Sequence, residues 1–97
     1  MDKEHFSLVL NSVLADADEF DATIARYAVR SLEQLDAIGR SILLMALAEF
    51  RCCDDVPEKV VINEAIELAR RYGATDSYKF INAVLDKAAR ELRGTQS

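Results

Sequence analysis

Hydrophobic positions recur three and four residues apart along almost the whole chain, the spacing of helices that each bury one face. Phe6, Val9, Leu10 and Val13 mark a first helix over about Lys3 to Ala15. An acidic joint, Asp16-Ala17-Asp18-Glu19, then suits the positive start of a second helix. That helix, about Asp18 to Val29, is expected to bury Phe20, Ile24, Tyr27 and Ala28. Ser31-Leu32-Glu33-Gln34 has the form of a capping box and predicts a short helical turn. From Ala37 to Cys53 the pattern changes: Ile38, Ile42, Leu43, Leu44, Met45, Leu47 and Phe50 make the segment apolar on nearly every side, as in the central helix of a bundle. Glu49 sits among them, close to the side of Ile38 and Ile42. With no chemical partner near it in sequence, it reads as a structural hydrogen-bonding group rather than a catalytic acid.

Asp54-Asp55-Val56-Pro57 ends this helix and begins another, with Asp55 as the expected N-cap and Pro57 in the first turn, where its missing N–H costs nothing. The new helix reaches about Tyr72. Val61, Ile62, Ala65, Ile66, Leu68, Ala69 and Tyr72 fill one arc of about 160°, with Glu64, Glu67 and Arg71 opposite. Gly73 is the expected left-handed cap. Thr75 or Asp76 then caps a last helix to about Arg93, and Gly94-Thr95-Gln96-Ser97 should fray. The pattern predicts an all-α fold of four to five helices in a single domain over residues 1–97.

Composition supports one small core: the chain has 97 residues, and its three Gly and one Pro leave few helix breakers. No apolar run is long enough to cross a bilayer, and the N-terminus lacks a signal-peptide pattern, so a cytoplasmic protein without a membrane partner is expected. Cys52 and Cys53 are adjacent, and with the lone His5 they make no metal or redox motif; they read as two small, semi-buried thiols at a helix end. No catalytic triad, Gly-rich phosphate loop or Glu-x-x-His motif occurs, so neither an enzyme nor a metal or cofactor is expected. The net charge of −5 argues against binding nucleic acid by bulk electrostatics. The charge is uneven, however. Residues 1–54 hold ten acids and five bases, while residues 55–97 hold seven of each, so an anionic partner should meet the second half.

The last helix is the informative one. Ile81, Val84, Leu85, Ala88 and Leu92 form its core-facing arc, and Phe80 lies at one edge. Immediately beyond, on the polar side, come Lys87, Ala83, Arg90 and Lys79, so an aromatic ring borders a basic patch and Ala83 leaves room for something flat. Stacking on an aromatic beside cations is a common way to hold single-stranded RNA, at about 1–3 kcal/mol per base. The same pattern also describes an ordinary amphipathic helix with Phe80 in the core and a solvated basic face, which is the commoner case.

Two stretches, Asp55 to Arg70 (DVPEKVVINEAIELAR) and Asp76 to Lys87 (DSYKFINAVLDK), joined by a Tyr-Gly-Ala turn, resemble the NusB family of transcription antitermination factors. Leu35 to Phe50, ending in Ala48-Glu49-Phe50, is similar to that family's central helix, and His5, Phe6, Val13, Phe20, Asp21 and Ile24 match more loosely. The resemblance implies an orthogonal NusB-like helical bundle that binds boxA-type single-stranded RNA together with the small-subunit ribosomal protein that doubles as NusE. It further implies that Phe80 matches an aromatic that meets RNA, with Asp76 and Lys79 in the same RNA-facing segment. Lys87 and Arg90 complete the expected RNA-binding set.

The chain also departs from the family pattern. The family normally begins with a further pair of helices, opened by an arginine-rich stretch, whereas this chain opens at Met1-Asp2-Lys3-Glu4, where that pair should already have ended. Gly39 replaces a usually acidic residue near the expected ribosomal-protein contact, and Asn11-Ser12 stands where Gly is common. An apolar face that such helices cover would be left open, which predicts self-association through it, including by exchanged helices. The alternative reading is a truncated or dimeric interaction module with little RNA affinity. RNA methyltransferases that carry a NusB-like N-terminal domain are a weaker match, since no cofactor-binding or catalytic domain follows Arg93.

Overall fold

A computed structural model describes residues 3–27 and 36–93, which form four helices: α1 (Lys3–Tyr27), α2 (Ala37–Cys52), α3 (Glu58–Tyr72) and α4 (Ser77–Arg93). The expected capping box at Ser31 to Gln34, Ala28 and Val29, and the tail from Gly94 lie outside the described residues. No described helix is long and apolar enough to cross a membrane.

The two helices predicted for the N-terminal third are both present within α1 and meet in a kink at Asp16, whose backbone leaves the helical region (φ −122°, ψ 21°). The acidic joint is held from across the bundle. Arg51 of α2 donates to both Glu19 carboxylate oxygens at 2.8 Å, reaches Asp16 Oδ2 at 3.5 Å and lies over the Phe20 ring. These bonds hold the Glu19 carboxyl below the usual carboxylate range, Arg51's hydrogen bond being the main cause.

The central helix is as apolar as its sequence predicts: Ile42, Leu43, Leu44, Ala46, Leu47, Ala48 and Phe50 are buried, although Ile38 is exposed. It packs against all three other helices, and α4 likewise touches the other three, so α1 and α3 flank an α2–α4 pair. Asp36 caps α2, its carboxylate accepting from the Gly39 N–H at 3.0 Å.

Three expectations in the second half are corrected. Asp55 does not cap α3; Pro57 takes the N-cap place itself, with its carbonyl accepting from Val60 and Val61. Gly73 is not left-handed but extended (φ −86°, ψ 176°), and the left-handed residue is Asp76 (φ 66°). Gly73 is needed for space instead: a Cβ there would lie 2.8 Å from the Ala69 carbonyl oxygen and 2.7 Å from Ser77 Oγ. Leu68 and Tyr72, placed on the core arc by periodicity, are exposed, whereas Val61, Ala65 and Ala69 are buried. Leu68 lies at one edge of this arc, and Tyr72 is the last residue of the helix.

Candidate nucleic-acid interface

On α4 the buried stripe is Ile81, Val84, Leu85, Ala88 and Ala89, as the periodicity requires. Two residues apart on a helix point about 160° apart, so Tyr78 and Phe80 fall on opposite edges of this stripe. Both are half-buried and pack against the core. Lys79, Ala83, Lys87 and Arg90 lie on the solvent arc between them, and all four are exposed. The face therefore carries an aromatic ring on each border and three cations between.

The Phe80 border faces α1. Glu91, three turns on along the same edge, accepts from Tyr27 Oη at 2.7 Å, from Arg26 at 3.1 Å and from Thr23 Oγ1 at 3.4 Å, all on α1. The hydrogen bond to Glu91 also raises the Tyr27 phenol above its ordinary value. The Tyr78 border faces α3: the Arg70 guanidinium lies 4.5 Å from the Tyr78 ring centroid, and Lys79 Nζ lies 6.0 Å from it. Arg70 and Tyr78 were missed by sequence reasoning because their stack crosses two helices, and no single-helix pattern pairs them.

Asp76 is exposed at the head of α4, and its carboxylate is 3.8 Å from Lys79 Nζ. A screened pair of this kind contributes little and yields readily to a stronger anion. Lys87 and Arg90 make no ion pair among the described residues. The five residues singled out from sequence thus share one exposed face and its head. Chemically, this face offers a flat apolar surface beside cations, suited to a base and its phosphate.

Glu49 gains the partner that its sequence neighbourhood lacks. His5 of α1 brings Nε2 within 3.2 Å of Glu49 Oε2, with the carboxylate buried and the imidazole largely so. This fits the structural role read from sequence. The carboxylate lines a groove between α2 and α3, with Ile42, Ala46, Val61 and Ala65.

The fold and this rim define a small all-α bundle domain with an aromatic and basic edge. A family model described as the NusB family matches residues 1–90, and the chain belongs to that family. The transcription antitermination protein NusB of Alteromonas mediterranea is 50% identical over 93 residues, covering 96% of this chain and 66% of its own length. That of Paraburkholderia phytofirmans is 44% identical over 92 residues, covering 95% and 64%. The Yersinia pestis protein is 47% identical over 93 residues, covering 96% and 67%. The backbone is similar to that of T. maritima NusB, with a TM-score of 0.79 and 37% identity over 86% of this chain and 59% of that one. The chain spans about two-thirds of the length of the curated relatives it matches.

Proposed function

We propose that the chain serves in transcription antitermination by holding boxA-type single-stranded RNA on the outward rim of α4, together with the ribosomal protein NusE. The observation that carries this reading is the half-buried Phe80 ring at the border of a helix face on which Lys87, Arg90 and Lys79 are all exposed. Relatives named for antitermination support the role. A base stacks on Phe80, while its phosphates meet the cations, and Asp76 at the head of the helix sets the limit of the basic track. Such a role belongs in the cytoplasm, on nascent RNA. The single domain over residues 1–97 is part of the same reading. The test is a titration of labelled boxA-type RNA, with and without NusE, at two salt concentrations, for wild type and Phe80→Ala. Binding that weakens with salt and with the substitution supports the reading; no binding even with NusE refutes it.

The second reading, a protein-interaction module, is favoured by α1. Phe6, Leu10 and Leu14 follow one another at four-residue spacing and are all exposed, Leu14 by 72%. A groove beside them, floored by Val9, Val13, Leu44 and Met45, continues the apolar surface onto α2. Self-association through this face accounts for it, and compatible RNA binding on α4 lets both readings hold together.

A further inference from the structure

The adjacent thiols at the end of α2 serve none of the roles described above. Cys52 is half-buried and Cys53 buried. Where the helix ends at Cys53 (φ −131°, ψ 67°), both side chains turn to one side and bring Sγ within 2.7 Å of Sγ. A disulfide bond is about 2.0 Å long, so little movement separates the pair from bonding. We propose that Cys52 and Cys53 are a reversible modification site that closes to a vicinal disulfide on reaction with a small-molecule disulfide.

The chemistry balances in two exchanges. Cys52, the more accessible, loses its proton, and its sulfur bonds to one sulfur of the reagent, expelling the other as a thiolate. The Cys53 sulfur, also deprotonated, then bonds to Cys52 Sγ and expels the second reagent thiolate. The cysteines give up two electrons and two protons, and the reagent disulfide becomes two free thiols. Burial pushes the Cys53 thiol of the reduced pair up to about 12, which leaves the first attack to the more accessible Cys52. Neighbouring Cα atoms stand about 3.8 Å apart, closer than relaxed disulfides allow, so the ring is strained and readily reduced. The closure would act at a joint. The Cys53 carbonyl accepts from Arg93 at the end of α4 and from the Val56 N–H in the turn to α3.

The full chain is incubated with hydroxyethyl disulfide, quenched with iodoacetamide and digested with trypsin, which cuts after Arg51 and Lys59 and leaves both cysteines in peptide 52–59. The expected peptide is lighter by two hydrogens, carries neither reagent nor alkyl group, and regains the dithiol with dithiothreitol. The Cys53→Ser variant is expected to stop with the reagent attached to Cys52. Two attached reagent groups in wild type, two alkyl groups after treatment, or disulfide-linked pairs of chains would each overturn the proposal.

Discussion

The Arg93 guanidinium, at the end of α4, donates to the Cys53 carbonyl at 2.8 Å, where α2 has just ended. It also donates to the carbonyls of Phe50 at 2.9 Å, Val56 at 2.6 Å and Glu49 at 3.2 Å, and lies over the Phe50 ring. The last carbonyls of a helix have no partner within it, so one side chain from the far end of the chain completes α2 and fixes the turn to α3.

Replacing Arg93 therefore acts on two helices at once. Arg93→Ala is expected to lower unfolding free energy by about 2–3 kcal/mol, the range for hydrogen bonds to a charged donor in a partly buried setting. Arg93→Lys should recover less than half, because an ammonium cannot span several carbonyls as the planar fork does. Urea denaturation of the three proteins checks this; equal midpoints would mean that the contacts are incidental.

The left-handed conformation that sequence suggests for Gly73 falls instead at Asp76. Gly73→Ala is expected to cost about 1–3 kcal/mol, because the Ala69 carbonyl that its Cβ would meet is backbone and cannot turn aside. Asp76→Gly should be neutral or stabilising, since glycine occupies the left-handed region at no steric cost. Were Asp76 in an ordinary right-handed or extended conformation instead, Asp76→Gly would destabilise the fold. Thermal melting of both variants decides it.

These two positions show where the sequence was legible. Helix spacing gave α2, α3 and α4 to within a residue or two, because a repeated apolar face is a local signal. It also put Phe80 on an edge, which needs only the angle per residue. The kink at Asp16 falls where the acidic joint predicts a break between two helices, while the pairing of that joint with Arg51, thirty-odd residues on, is not legible locally. The Glu49–His5 contact, the Arg70–Tyr78 stack and the Arg93 anchor all join separate helices. No local pattern encodes such pairings; they emerge only once the helices are packed.

Exposure should separate two leucines that look alike in sequence. Leu47, fully buried, is expected to cost about 2–5 kcal/mol when cut to alanine. Leu14→Ala should change folding by no more than about 0.5 kcal/mol, because the side chain is largely in water. It should instead reduce self-association, read as a lower average mass by light scattering at high protein concentration. Wild type that stays monomeric at every concentration would count against the α1 face as an interface.

Alkaline pH should loosen the fold through Cys53. Its thiol stands at about 12 in the folded chain against 9.0 for an ordinary thiol, chiefly because burial disfavours the anion. Below pH 9 both states keep the proton, and no difference arises. As pH rises from there toward about 12, the unfolded chain releases the proton while the folded one holds it, so the unfolded state is favoured. Tyr27, raised by Glu91, acts in the same direction at higher pH. The difference in unfolding free energy between wild type and Cys53→Ala, measured by urea titration under reducing conditions at rising pH, isolates the thiol. Wild type should lose stability more steeply than the variant; parallel curves would refute the assignment.

Phe80 stands half-buried at the border of the basic face of α4, and Phe80→Leu probes its ring with the least disturbance to packing. Leucine keeps apolar volume at the edge of the core but offers no flat face. The affinity for boxA-type RNA, measured by fluorescence anisotropy at fixed salt with NusE present, is predicted to fall about tenfold, as loss of one stacked base requires, with the melting curve little changed. An affinity equal to that of wild type, in a variant shown to be folded, would contradict the account.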